Sequence, residues 1–224
     1  MRNNILLTYV IMDLLFVGTG VLLLVFSLST ESRIRATPTL TNVTTNLLLD
    51  VCPLKAGVAN AIFVFVSFVI SLPGILSSTT RGWLKFHGYT VVISGLFTMV
   101  IGLVIWFETL KTRNNLFNIW NLQPAASQSL IQESLVCCGY FNSTAPPFVV
   151  DSVCPTAAVA ATQIGCVTPF TSLANAFLDT IFTAAFGIVG VDVAVILAIA
   201  MLLKDRKEKE RYRHIDEKNG ANGF

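Results

Sequence analysis

Five cysteines hold much of the chemistry open to this 224-residue chain: Cys52, Cys137, Cys138, Cys154 and Cys166. Four of them fall between residues 137 and 166, where no histidine lies. A zinc site would want a pair separated by about two residues rather than an adjacent pair. Disulfides in an oxidising compartment are therefore the expected chemistry. Cys137 and Cys138 are poor partners for each other, because adjacent Cα atoms stand about 3.8 Å apart, below the usual disulfide span. Two pairings remain, each tying the adjacent pair to both Cys154 and Cys166, and spacing leaves both open. Cys52 is the odd thiol, expected free and buried or linked to another chain.

Two acids, Asp13 and Asp192, interrupt otherwise apolar stretches. A charge in a bilayer costs a few kcal/mol or more and faces a partner or water. Val17 and Gly20 follow Asp13 at i+4 and i+7; Gly190 precedes Asp192, and Ala194 and Ala198 follow it. Such small-residue stripes let helices approach closely. Either the acids line an intramembrane polar pocket or each is a protonated acid bonded to a backbone carbonyl or a Ser/Thr hydroxyl. The only histidines, His87 and His214, lie at a span edge and in the tail. With no nucleophile constellation, metal cluster or phosphate loop, the chain reads as a non-enzyme without a cofactor or resident metal.

These residues must be positioned by membrane helices. Hydrophobic residues make up 54% of the chain and charged residues 12%, against roughly 25% charged in soluble domains, and the mean hydropathy is +0.70. That excludes an ordinary soluble enzyme domain. The net charge of +2, with no basic stripe, argues against nucleic acid as a partner. Four segments reach the roughly 20 apolar residues that a bilayer core requires: 5–29, 56–76, 87–107 and 180–203. The first is about twice the usual length of a signal-peptide core and contains Asp13, so a span is favoured over a cleaved leader. The implied layout is an N-terminus and first span at 1–29 and a small loop at 30–55. The second and third spans occupy 56–107, joined by a short turn at 77–86. A large loop at 108–179, the fourth span at 180–203 and a tail at 204–224 complete it. The fold class is thus an all-α membrane protein: four transmembrane helices with a disulfide-stapled large extracellular loop.

The tail carries seven Lys/Arg, from Lys204 to Lys218; Arg81 and Lys85 lie in the short turn and Arg2 at the start. The larger loops carry five, so the positive-inside rule puts both termini in the cytoplasm. The two Asn-x-Ser/Thr sites, Asn42 and Asn142, fall in the loops this places outside, on the side where glycosylation occurs. The localisation expected is integral, in the plasma membrane or an endomembrane. Pro73 should kink or end the second span. In the large loop, Leu116, Ile119 and Trp120 predict one helix, and Ala125 to Val136 predicts a second after Pro124. The turn-rich remainder, 139–177, is the expected recognition surface; Phe148, Val149 and Val150 form either a binding patch or the loop's own core. The tail predicts a solvated charged helix with an Asp205–Lys209 pair.

The block Cys137-Cys138-Gly139 in a large loop between the third and fourth of four spans, with Gly165-Cys166 later, resembles the tetraspanin signature. The family's proline-containing motif at its third cysteine is altered, reading Asp151-Ser152-Val153-Cys154-Pro155. The resemblance implies the pairs Cys137–Cys166 and Cys138–Cys154. It also implies polar residues in the first and fourth spans, here Asp13 and Asp192, lining a pocket that accepts membrane lipid, a sterol among them. The implied function is a membrane organiser that binds other membrane proteins through its large loop and spans. Residues 186–192 and 210–218 resemble the fungal punchless-type tetraspanins, which implies a role in host penetration from a specialised infection cell. The cytoplasmic juxtamembrane cysteines that many tetraspanins acylate have no counterpart here. The alternative is a small transporter or proton-coupled channel using Asp13 and Asp192. The spans lack the paired Gly/Pro breaks of repeat-built transporters, which counts against it.

Overall fold

The structure, a computed structural model, describes residues 2–50, 52–76 and 81–220. Residues 77–80 of the short turn and 221–224 of the tail lie outside the described residues. The chain forms α1 (Arg2–Ile34), α2 (Val43–Asp50), α3 (Leu54–Leu76), α4 (Gly82–Leu110), α5 (Thr112–Leu122), α6 (Ala125–Leu135), α7 (Ala157–Ala160) and α8 (Val167–Gly220). Among the described residues the only β pairing is two isolated bridges at 142–147.

Four helices, α1, α3, α4 and α8, are long and apolar enough to cross a bilayer, with mean hydropathies of 2.2 to 2.6 in their best windows. Only 28–33% of each window is buried within the chain. The remaining apolar surface, including Leu7, Leu22, Val69, Ile93 and Leu197, faces outward. Such a surface is unfavourable in water and suits lipid tails.

Two compact units make up the chain. The first comprises Met1–Phe26, Lys55–Val100 and Ala185–Phe224. Its apolar core gathers Tyr9, Phe16, Val64, Leu84, Val91 and Val195. A Cβ on Gly20 would stand 2.7 Å from Val64 Cγ1, so α1 and α3 meet here at a distance only glycine permits. Hydroxyls and amides tie helix to helix between the apolar contacts. Asn60 Nδ2 donates to Thr98 Oγ1 at 2.7 Å, Ser94 Oγ donates to Asn60 Oδ1 at 3.3 Å, and the Ser67 and Thr90 hydroxyls bond at 2.7 Å.

The second unit comprises Ser27–Leu54 and Ile101–Ala184. The two helices expected after the third span are α5 and α6, separated at Pro124. They bury Leu116, Trp120 and Ile131 with Tyr140, Phe170 and the Cys137–Cys166 bridge. Helix α6 closes on Val136 in the left-handed region (φ 51°), which returns the chain so that Cys137 N–H bonds the Gln132 carbonyl.

Several boundaries differ from the sequence reading. The fourth long helix starts at Val167, thirteen residues before Thr180, because Phe170, Ala174 and Phe177 form an i, i+4, i+7 stripe packed into the second unit's core. Pro169 does not block this start, since the first helical turn tolerates a missing N–H. The small loop contains a helix, α2, which buries Val43, Leu48 and Leu49. Pro73 lies inside α3, which continues to Leu76. The tail is helical to Gly220 and carries the Asp205–Lys209 ion pair.

Candidate functional site

In the first unit the apolar periodicity turns selected polar side chains inward, producing a buried cluster from α1, α3 and α4. Asp13, Ser71 and His87 are each almost fully buried, as is Tyr9. Ser71 Oγ donates to Asp13 Oδ2 at 2.6 Å. The Tyr9 hydroxyl lies 2.9 Å from His87 Nδ1. With the phenol donating, Nε2 carries the ring hydrogen and faces the carboxylate. His87 Nε2 and Asp13 Oδ1 are 3.4 Å apart, within ion-pair reach but without an aligned hydrogen bond, and neither atom has another hydrogen-bond partner. The result is a buried polar chain, Tyr9–His87–Asp13–Ser71, hydrogen-bonded at both ends and with imidazole and carboxylate facing each other at its centre.

Asp192 on α8 is equally buried, and neither of its carboxyl oxygens has a hydrogen-bond partner. It packs against Gly95 of α4, where an added Cβ would sit 3.3 Å from its carboxyl oxygen. His87 and Gly95 are eight residues apart, about 12 Å along an α-helix. The two acids therefore occupy separate stations along α4, each with its own neighbours. Asp13 accepts from a serine hydroxyl, whereas Asp192 has no hydrogen-bond partner. Sequence reasoning did not assign His87 or Tyr9 to this cluster; it placed His87 at a span edge, whereas α4 begins at Gly82 and carries His87 more than one turn in.

In the second unit the adjacent cysteines act as a hub. Cys137 bonds Cys166 (Cα–Cα 5.0 Å) and Cys138 bonds Cys154 (Cα–Cα 5.9 Å), one of the two arrangements that spacing leaves open. Buried Gln132 braces the hub. Its Oε1 accepts from Gly139 N–H and Val149 N–H, and its Nε2 donates to the Val149 carbonyl and Asp151 Oδ2. Gly139 takes a positive φ of 69°, and a Cβ there would strike the Asn142 carbonyl. Asp151 Oδ1 accepts from the Val153 and Cys154 amides, making the turn in the altered Asp-Ser-Val-Cys-Pro segment. Phe148 packs with Cys138, Cys154 and Ala160 as core, whereas Val150 is 71% exposed. Asn142 is exposed, and its side-chain oxygen accepts from the Thr144 hydroxyl of its own sequon; Asn42 is half-buried and accepts from Thr39 N–H.

Cys52 is free and half-buried, at the wall of an apolar cavity of about 120 Å³ bounded by Leu48, Val104, Ile105, Leu116 and Ile119. Burial pushes its thiol up to about 11. The expected outcome is slow alkylation: at pH 8 the thiolate fraction is roughly a hundredfold below that of an exposed cysteine of pKa near 9. Iodoacetamide labelling of the oxidised chain, read by mass spectrometry, should accelerate about tenfold per pH unit through pH 10. A rate that levels off near pH 9 would contradict the burial.

Among the described residues no group of three or more His, Cys, Asp or Glu side chains is placed to hold a metal ion. Comparison with family models, curated proteins and solved structures returns no match to this chain.

Proposed function

We propose that the chain is a membrane organiser of the tetraspanin type, which binds other membrane proteins laterally and through the segment between its third and fourth long helices. The observation that carries this reading is the disulfide-stapled unit built on Cys137-Cys138-Gly139 within a chain of four bilayer-length helices. The positive-inside count supports cytoplasmic termini, and hence an extracellular or lumenal loop with Asn42 and Asn142 on the glycosylated side. Exposed apolar side chains on that segment, Val150, Val159 and Ile164 among them, suit partner contact. The likeness of residues 186–192 and 210–218 to fungal punchless-type chains extends the proposal to host penetration by an infection cell.

A second reading, a proton-coupled channel or transporter using Asp13 and Asp192, draws on the buried Tyr9–His87–Asp13–Ser71 chain. The separate neighbourhoods of the two acids disfavour it, because no described hydrogen bond links them into one path. The test is recovery of the full chain from its own membranes in mild detergent, with co-purifying proteins quantified. A membrane-protein partner near stoichiometry is expected, and Val150→Asp/Ile164→Asp should reduce it about tenfold or more while both disulfides still form. A chain recovered alone would overturn the organiser and direct attention to proton flux in liposomes.

A further inference from the structure

The tail helix segregates its charges in a way that its composition conceals. At 100° per residue, Lys204, Lys207, Arg211 and Lys218 fall within about 60° of arc on α8. The acids Asp205, Glu208, Glu210, Asp216 and Glu217 all lie outside that arc. Most of them are occupied: Asp205 pairs with Lys209, Glu217 with Arg213 and His214, and Glu210 with Arg81. The four stripe cations are exposed, and among the described residues none has an ion-pair partner.

Two contacts fix which way the stripe points. Arg206, buried, donates from Nη2 to the Gly74 carbonyl at 2.6 Å, satisfying one of the orphan carbonyls in the last turn of α3. One turn further, Glu210 bonds Arg81 at the entry to α4. The stripe and Arg81 then border a groove of about 720 Å³ whose lining carries five Lys/Arg against two glutamates, a net of +3. That volume falls in the range of small-molecule sites.

We propose that this groove binds the headgroup of an anionic phospholipid carrying more than one phosphate, in the leaflet from which α8 emerges. The proposal rests on α3, α4 and α8 crossing the bilayer and is independent of the organiser reading. The axial order of the cations selects the ligand. Lys204 directly follows the apolar run that ends at Leu203, which places it at headgroup level. Lys207 and Arg211 stand about 4.5 and 10.5 Å farther along the helix axis. A flat layer of singly charged lipid would meet chiefly Lys204, whereas phosphates projecting from the bilayer meet Lys204, Lys207 and Arg211 in turn. Unpaired cations next to a span are drawn to such lipids within about a Debye length of the surface.

The test measures binding of a fluorescent short-chain phosphatidylinositol bisphosphate to the full chain in mild detergent. Phosphatidylserine and phosphatidylcholine serve as comparison lipids, and soluble inositol trisphosphate as competitor. Lys207→Gln/Arg211→Gln should weaken binding on the order of 30-fold. Lys209→Gln/Arg213→Gln removes the same charge from the opposite face and should weaken it less than about threefold. Phosphatidylserine should bind at least about tenfold more weakly than the bisphosphate, and inositol trisphosphate should compete. Equal losses in the two variants would overturn the proposal by making the effect diffuse charge. Equal affinity for phosphatidylserine, failure of inositol trisphosphate to compete, or capture of an acidic protein with no lipid binding would overturn it as well. All four substitutions are at exposed positions, and unchanged helicity in both variants separates lost binding from lost fold.

Discussion

Removing the Cys138–Cys154 bridge with Cys138→Ala/Cys154→Ala is expected to unfold residues 141–161 while the four long helices still form. The reason lies in the sizes of the two cores beside the cysteine hub. Around Cys137–Cys166 the second unit buries Val43, Leu48, Leu116, Trp120, Ile131 and Phe170 among others. Around Cys138–Cys154 the buried apolar group is only the two sulfurs and Ala160, with Phe148 and Val153 partly covered. Burying a full Phe or Leu side chain contributes about 1.5–3 kcal/mol, so this small group adds little stability of its own to the lobe. The bridge closes a 16-residue separation, which restricts the unfolded chain by about 3 kcal/mol. Lost, it also frees Gln132 from its contacts with Val149 and Asp151. Hydrogen exchange of the full chain in detergent should show protection lost across 141–161 and retained at Trp120 and Ile131. The companion Cys137→Ala/Cys166→Ala should cost about 3–4 kcal/mol by the same entropy, yet keep residual order around Trp120, because its core is larger. Unchanged protection of 141–161 without the Cys138–Cys154 bridge would mean that the lobe has a stabilising core of another kind.

Apolar length made the four long helices visible before any coordinates, since nothing but a helix of about 20 apolar residues satisfies its backbone inside lipid. The stripe Leu116, Ile119, Trp120 and the break at Pro124 likewise located α5 and α6. The start of α8 was harder to read. Residues 167–179 mix Thr, Ser, Asn and Asp with Phe170, Ala174 and Phe177, and that stripe reads as a loop until something is there to bury it. Helix α2 was hidden for the same reason, eight residues being too short to declare themselves without the core they pack on. In the candidate site, Asp13 and Asp192 stood out as charges in apolar runs, but their partners did not. Ser71 and Tyr9 are ordinary residues in a span, and His87 counts as polar only once its ring is seen facing a carboxylate from another helix. Contacts separated by 58 and 78 residues are set by how α1, α3 and α4 pack, and no local pattern encodes that. The basic stripe was present in the sequence at spacings of three, four and seven residues, yet the near balance of acids and bases in the tail masked it until three of the five acids were seen to be paired elsewhere.

The buried chain yields the other large effect. Asp13→Leu leaves His87 Nε2 facing apolar surface, while Ser71 Oγ keeps the Phe68 carbonyl as its acceptor, and His87→Leu leaves Asp13 Oδ1 and the Tyr9 hydroxyl facing apolar surface. A buried polar group stripped of its partner costs about 1–3 kcal/mol, and a broken buried ion pair about 3–5. Hydrogen bonds between membrane helices average only about 0.6 kcal/mol, because the unfolded state in lipid finds partners too. The magnitude of the coupling therefore separates two states of the pair. A neutral imidazole facing a neutral acid at 3.4 Å should give a double-mutant coupling below about 1 kcal/mol. A pair sharing charge across a dry interface should exceed about 1.5 kcal/mol. The expected result is the larger coupling, since Asp13 Oδ1 and His87 Nε2 face one another at 3.4 Å and neither has a hydrogen-bond partner, so each is the other's nearest compensation. Each single Leu variant should lose about 2–3 kcal/mol of stability in detergent, and the double Leu variant should recover part of it, because apolar replacement of both partners removes the burial penalty of each. Strict additivity of the two losses would show that Asp13 and His87 act independently, leaving Ser71 as the partner that holds the acid in the bundle.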